Sequence, residues 1–474
     1  MSREGNGKNV IWILADQLRA DALSVNGDPN VSTPNIDNLA LQGINFNRAV
    51  SGTPLCSPYR GALLTGCYPH KSSVAGHDFT LNPKRHTIAE VFNGAGYDTL
   101  YYGKWHLEGL NPRIGTGVDP QKQFVPRDHR GKFSTWVGYE NNNSQFNCWV
   151  HGHDGEQEVP LHRLPGFETD SLVDMGLQKI RYYGEEKKEG RNRPFFMVIS
   201  VQPPHDPYIA PARFMGKYNS RKLVMKDNVP PYGEFQKRAR QELAGYYALI
   251  ENLDWNVGRI LNELRENGLD LDTHIIFFSD HGDMHGSHGM FRKTNPYEEA
   301  IRVPFIIGGE MPMTYYDSKS GVSDLPVNHV DAAPTTLGLC DLEIPEWMEG
   351  TDYSWVRSAS RVPGEIPDSA YLQSVVPTRH YDSIDIPYRG IVTRDGWKYV
   401  CLENQEWLLF NLNDDPLELI NLAHNSLYID KRIELNRRLK EWARDTEDDF
   451  NVPDVPYLVR ETPRQPLEGM EESI

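Results

Sequence analysis

Asn9-Val-Ile-Trp-Ile-Leu-Ala-Asp16 is an unbroken apolar run that closes on a carboxylate. A strand with one wet face alternates polar and apolar residues. A continuous run marks a strand buried on both faces, as in a parallel sheet covered by helices. His274-Ile-Ile-Phe-Phe-Ser279 repeats the pattern and is followed by Asp280. Tyr97 to Tyr102 and Phe195 to Val201 read as two more such strands. Helix signals lie between them. Thr33-Pro34 supplies an N-cap and first helical residue for a helix through Gln42. Further helices are predicted from Pro58 to about Leu64, from Thr87 to Asn93 before Gly94 and Gly96, and over the long periodic stretch Phe235 to Glu266. Buried strands alternating with helices predict an α/β fold, a large mostly parallel sheet sandwiched by helices. Acids that end two such strands converge over the carboxyl edge of the sheet. Asp16 and Asp280 are therefore the first candidate site residues.

The pattern changes toward the end of the chain. Arg389 to Thr393, Trp397 to Leu402 and Trp407 to Asn411 are short strands separated by Asp395-Gly396 and Glu403-Asn404, a meander, and a helix from about Asp430 to Arg444 follows. These spacings predict a catalytic domain over residues 1–370 and a smaller C-terminal subdomain over 371–474, with an antiparallel sheet, a helix and an extended tail. The tail, Val452 to Ile474, carries Pro453, Pro456, Pro463 and Pro466 and is a candidate arm for homo-oligomerisation.

Of the 474 residues, 39% are hydrophobic, enough for a sizeable core. The formal charge of −17 argues against nucleic-acid binding, which needs a basic face. A local cluster of cations in a cleft still suits a small anionic substrate. No run approaches the ~20 apolar residues of a membrane span, and Met1 to Asn9 lacks the form of a signal peptide. A cytoplasmic protein is the expectation. Five cysteines at irregular spacing, without a CxxC pair, do not form a disulfide framework or a thiolate zinc site. Cys67, Cys148, Cys340 and Cys401 are expected to pack as small apolar residues.

Cys56 is different. In Cys56-Ser57-Pro58-Tyr59-Arg60 it precedes a proline suited to the first turn of a helix, where the positive helix end favours an anion. The spacing to Arg60 is too tight for the phosphate loop of a thiolate phosphatase. Cys-x-Pro-x-Arg followed by Leu63-Leu64-Thr65-Gly66 resembles the signature of the sulfatase family, in which this cysteine becomes formylglycine. Gly96-Tyr97-Asp98-Thr99 leading to Gly103-Lys104-Trp105-His106 resembles the second signature of that family. Ser279-Asp280-His281-Gly282-Asp283, with Gly289 to Lys293, resembles its late metal-and-lysine segment, and Leu408 to Leu422 its C-terminal strand-turn region.

The resemblance implies an alkaline-phosphatase-like fold and hydrolysis of sulfate monoesters. It also implies one divalent metal ion held by Asp16, Asp280, His281 and the formylglycine at Cys56, with Gln17 a further candidate ligand. Oxygen-rich ligation favours Ca²⁺, and Mg²⁺ or Mn²⁺ also fits a set that includes histidine. Gln17 stands where most sulfatases carry a second acid. An Asp-Gln pair is nearer the phosphonate monoester hydrolase branch, so phosphonate or phosphate esters are an alternative substrate class. A silent member with unmodified Cys56 is a third reading. By the same resemblance Arg60 orients the formylglycine, while Lys104, His106, His205 and Lys293 contact substrate and handle protons. His106 is the implied base for release of sulfate, and His205 or Lys293 the acid for the leaving oxygen. The implied partners are a small-molecule or carbohydrate sulfate ester and a formylglycine-generating maturation enzyme, with no nucleic acid and no membrane. Outside this set, His151-Gly152-His153-Asp154 reads as a solvated loop, Arg127-Asp128-His129-Arg130 as a weaker candidate contact for a sugar or acid, and His285 and His288 as residues of the pocket or of its loop.

Overall fold

A computed structural model describes residues 7–109, 119–309, 319–378, 382 and 384–455. The main sheet is built from β1 (Asn9–Asp16), β2 (Ile44–Phe46), β3 (Asp98–Lys104), β4 (Thr135–Tyr139), β5 (Trp149–Asp154), β6 (Gln157–Arg163), β7 (Phe195–Pro204), β8 (Thr273–Ser279), β9 (Phe305–Gly309) and β10 (Gly321–Ser323). Its order is β10-β2-β9-β8-β1-β7-β3-β4-β5-β6. The central run from β8 to β4 is parallel, whereas β9 and the β5–β6 hairpin extend it antiparallel. The expected sandwich is therefore present, as a mixed sheet with a parallel centre.

The strand β1 shows why the apolar run is unbroken. Ile11, Ile13 and Ala15 enter one core, and Val10, Trp12 and Leu14 the other. Helices α1 (Pro34–Gln42), α4 (Glu168–Lys188) and α6 (Gly233–Glu266) contribute to the first core. Helices α2 (Cys56–Thr65), α3 (Ile88–Gly94) and α8 (Ala332–Leu339) contribute to the second, and α5 (Ala212–Met215) and α7 (Glu298–Ile301) are single turns. Side chains buried this fully stabilise the fold by ~1.5–3 kcal/mol each.

Register sets the position of the site. Ala15 lies opposite Ser279, and Asp16 opposite Pro204, so the ends of β1, β7 and β8 stand side by side. On the next strand Gly103 lies opposite Ser200. Its φ is +106°, and a Cβ there would fall 2.0 Å from the Ser200 carbonyl oxygen. Glycine alone lets β3 lie that close while delivering Lys104 to the same edge.

The second sheet is antiparallel in the order β11 (Ser369–Ser374), β12 (Tyr388–Thr393), β13 (Trp397–Leu402) and β14 (Gln405–Asn411). Helix α9 (Ile429–Asp445) covers it, packing Leu435 and Leu439 with Tyr371, Ile391 and Tyr399. The residues after α9 are pinned by Asp448, whose carboxylate accepts from Arg389 Nε at 2.6 Å and Nη2 at 2.9 Å. Of the proline-bearing tail expected as an arm, Val452 to Val455 lie within the described residues and the remainder lies outside them. Among the described residues no helix is long and apolar enough to cross a membrane.

Two expectations are corrected. The helix expected from Pro58 begins at Cys56, because a proline at the third helical position lacks only an N–H that the first turn does not use. His151 and His153 belong to strand β5 rather than to a solvated loop, and both are buried. His151 Nε2 accepts from the Val125 N–H at 2.9 Å, and His153 lies 2.8 Å from Arg130 and 3.0 Å from the Phe133 carbonyl. Cys67, Cys148, Cys340 and Cys401 are buried and unbridged, as packing residues should be.

Candidate active site

Cys56 is the first residue of α2, and its sulfur faces the ends of β1, β3, β7 and β8. Lys293 Nζ lies 3.2 Å from Cys56 Sγ, His281 Nε2 3.1 Å and Asp16 Oδ1 3.8 Å. Burial opposes ionisation of the thiol, yet Lys293, Lys104 and His281 hold it well below its ordinary value. The position selects for negative charge.

Asp16 and Asp280 stand behind the sulfur, both fully buried. Arg60, one turn along α2, donates Nη2 to Asp16 Oδ2 and to Asp280 Oδ2, at 3.1 Å each. Its Nη1 donates to the Lys104 carbonyl at 3.0 Å and to Ser200 Oγ at 2.8 Å. One guanidinium thus ties α2 to the strand ends, a use of the planar fork that lysine could not reproduce. Lys104 Nζ adds an ion pair to Asp16 Oδ2 at 2.6 Å. Burial and the Cys56 charge push the Asp16 carboxyl up, but the ammonium groups of Lys104 and Lys293 counter them, and it is held far below the usual range. Burial and the neighbouring Asp16 charge push Asp280 the other way, to about 6.

Two carboxylates, an imidazole and a thiol form a donor set that can hold a divalent cation. Oxygens of Asp16 and Asp280, His281 nitrogen and Cys56 sulfur all lie within 4.8 Å of one another. The His281 tautomer suits a ligand too. Its Nδ1 lies 2.9 Å from the Gly282 carbonyl, which can only accept, so Nδ1 keeps its proton and Nε2, facing the carboxylates, is the nitrogen that a cation would take in place of a proton.

On the other side of Cys56 is a histidine pair. His106 follows β3 with φ +58°, and its ring centroid lies 4.9 Å from that of His77. Both rings reach the Cys56 sulfur, with candidate ligand atoms within 4.8 Å. Burial pushes His106 down to about 3 and lowers His77 as well, so both are neutral bases near pH 7. Glu140 accepts from the N–H groups of Leu107 and Glu108 at 3.0 Å each and so fixes the turn after His106. His205 follows β7, with Nδ1 2.8 Å from the Asp206 carbonyl.

The site residues implied by the resemblance converge on one crevice: Asp16, Gln17, Cys56, Arg60, Lys104, His106, His205, Asp280, His281 and Lys293. Three contributors carried no assigned role in the sequence. His77 lies in a loop without periodicity. Ser200 is one polar residue inside an apolar strand. Asp283 was legible only as part of the Ser279–Asp283 motif. Arg127 to Arg130 lie elsewhere: Arg130 is buried beside His153, and His129 pairs with Glu108 at 2.9 Å. His285 is fully buried against Tyr246, and His288 is half-buried against Tyr297. Both structure the loop between Asp283 and Lys293.

A nucleophile position at a helix start, two carboxylates and a ring of cations over the carboxyl edge of an alkaline-phosphatase-like sheet define an ester hydrolase for anionic substrates. The sulfatase family model matches residues 8–342, and that of the N-sulphoglucosamine sulphohydrolase C-terminal region matches 286–445. The chain belongs to the sulfatase family. It is 32% identical to the ulvan-active sulfatase of Formosa agariphila, covering 95% of this chain and 83% of that protein. Among solved structures it superposes on the yidJ protein of Bacteroides fragilis with a TM-score of 0.81 and 28% identity, over 95% of this chain and 98% of the other. A structure in complex with its substrate D-glucosamine-2-N,6-O-disulfate shares the fold at a TM-score of 0.78 and 22% identity, over 94% and 99% of the two chains. The protein is thus a sulfatase, a hydrolase of sulfate esters.

Proposed function

We propose that the protein hydrolyses sulfate monoesters of carbohydrates at this crevice, with Cys56 matured to formylglycine and one divalent cation bound beside it. The observation that carries the reading is the placement of Cys56 Sγ, between His281 and Lys293 at 3.1 and 3.2 Å on one side and the His77–His106 pair on the other. Asp16, Asp280 and His281 would hold the cation, with the Gln17 Oε1 oxygen as a neutral fourth partner and Ca²⁺ as the first choice. When present, the cation supplies charge for the sulfate oxygens, and the hydrated formylglycine supplies the attacking hydroxyl.

The remaining work falls to the protein's own side chains. Arg60 holds both carboxylates in fixed orientation and prevents the strand ends from separating. Lys104 and Lys293 place two ammonium groups around the anionic oxygens, inside a site where such charges act more strongly than in water. Asp280 is placed to take a proton from the attacking group. His106, neutral and beside position 56, is placed to take the proton whose removal releases sulfate, with His77 as its neighbour. The acid for the departing oxygen is assigned to Lys293, because the one ring proton of neutral His205 is held by the Asp206 carbonyl.

A sulfated sugar as substrate is suggested by the likeness to the structure holding a disulfated glucosamine. Gln17, neutral where an acid would add charge, supports a phosphonate or phosphate ester as the second reading. Intact mass and peptide mapping of protein made with a formylglycine-generating system should show the modification at Cys56. Turnover should favour sugar sulfates over phosphonate monoesters and phosphate diesters, and Cys56→Ala should abolish it. Active enzyme carrying only unmodified cysteine would overturn the reading, and a preference for the phosphonate would move it to the second.

A further inference from the structure

The side chain of Gln17 has a fixed direction that its own residue type does not give. Gln17 follows β1 in the left-handed region, with φ +71°. Its N–H donates to Asp280 Oδ1 at 3.0 Å, and its carbonyl accepts from the Tyr246 hydroxyl at 2.9 Å. Its side-chain Nε2 lies 2.7 Å from Asp283 Oδ2 and 3.1 Å from the Tyr208 hydroxyl, and Oε1 lies 3.0 Å from Lys293 Nζ. An amide can face either way round, and only its partners choose. Here both ends have partners that choose. Asp283 Oδ1 accepts from the N–H groups of His285 at 2.8 Å and Arg292 at 3.1 Å, and Oδ2 accepts from the Tyr208 hydroxyl at 2.9 Å. Such a carboxylate can only accept from Gln17, so the amino end must point to it and the oxygen must point to Lys293.

We propose that Asp283 is the positioning residue that turns the Gln17 oxygen toward the reaction centre, and that it excludes an acidic residue from position 17. The inference rests on the reading of Gln17 as a partner of the cation. A carboxylate at position 17 would stand 2.7 Å from that of Asp283 with no proton between them, the like-charge arrangement that buried sites cannot hold. The glutamine is thus the complement of the acid behind it. Moving the charge from one position to the other should be tolerated where adding a second is not. Tyr208 acts with Asp283, accepting from Gln17 and donating to Asp283 through one hydroxyl.

The test is a charge swap in the full chain: Gln17→Glu, Asp283→Asn, and the two combined. Three quantities are read: melting temperature, Ca²⁺ and Mn²⁺ affinity by calorimetry on the cysteine form, and kcat and KM on the matured form. Asp283→Asn removes one of the two groups that orient the amide, leaving Lys293, and should weaken cation affinity ~10–100-fold, the usual effect of losing a group that orients a ligand. Gln17→Glu alone should lower the melting temperature. The double variant should regain the melting temperature and most of the lost kcat, because the amide introduced at position 283 can donate to the carboxylate introduced at position 17. If the double variant shows only the sum of the two single losses, the proposal is overturned. Should Gln17→Glu fail to fold, a folded double variant supports the proposal and an unfolded one overturns it. A wild type that binds no cation would defeat the metal reading instead, while the melting temperatures still report on the Gln17–Asp283 contact.

Discussion

Which residue protonates the departing oxygen can be decided by how rate depends on the leaving group. His205 Nδ1 lies 2.8 Å from the Asp206 carbonyl oxygen, which has no proton to give. The ring proton therefore sits on Nδ1, and Nε2 of the neutral ring is bare. Burial and the Lys293 charge lower the imidazole further, so the neutral ring prevails. Lys293 has three N–H donors, two of them directed to Gln17 Oε1 at 3.0 Å and Cys56 Sγ at 3.2 Å, and the third can reach a bridging oxygen. Substituting Lys293 by alanine removes two things. The loss of a charge-assisted hydrogen bond, ~1.5–3 kcal/mol, applies to every substrate and should slow a nitrophenyl sulfate ~10–100-fold. The loss of acid assistance, a further ~10²–10⁴-fold, applies only when the leaving alkoxide needs a proton, as for a sugar sulfate. The assay is kcat/KM for a series of sulfate esters plotted against leaving-group pKa. Lys293→Ala should steepen the line. Lys104→Ala, which removes the partner of Asp16, should displace it in parallel, and His205→Ala should leave its slope close to wild type. A steepened line for His205→Ala with a parallel line for Lys293→Ala would refute the tautomer argument.

Chelation should reduce turnover, and Asp280→Asn should lower both bound metal and rate more than Gln17→Ala, since only Asp280 brings charge; elemental analysis beside turnover checks this, and an active Asp280→Asn enzyme would exclude the assignment. The Arg389–Asp448 clamp makes a prediction about acid stability. Burial opposes ionisation of Asp448, but its bonds to Arg389 draw the carboxyl down from 3.8 to about 2. At ~1.4 kcal/mol per pH unit the difference amounts to ~2 kcal/mol, present in full above pH ~4 and lost as pH falls through ~2. Asp448→Asn should cost at least that much at pH 7 in chemical unfolding, because Arg389 is left buried and unpaired. It should also flatten the stability profile between pH ~4 and ~2, and an unchanged profile would show that the clamp is not the acid-sensitive element.

The sequence by itself determined the parallel centre of the fold and named most of the residues that meet in the candidate site. Continuous apolar runs such as Val10 to Ala15 have one reading, burial on both faces, and a carboxylate ending such a run is placed at the sheet edge by strand geometry alone. The site residues were legible because they cluster within short motifs, Cys56 to Arg60, Lys104 to His106 and Asp280 to Lys293. Helix α4 was not anticipated, and neither was the β5–β6 hairpin, whose buried His151 and His153 look like surface residues in a linear reading. Their burial depends on Val125, Arg130 and Phe133, partners that no local pattern supplies. Only the tertiary structure decided how the motif residues are aimed. Arg60 binds two acids from strands far apart in the chain, the His205 proton is set by a neighbouring carbonyl, and the Gln17 amide is turned by Asp283. Residue type fixes what a side chain can donate or accept. Which of its ends faces the reaction depends on partners that meet only when the sheet has closed.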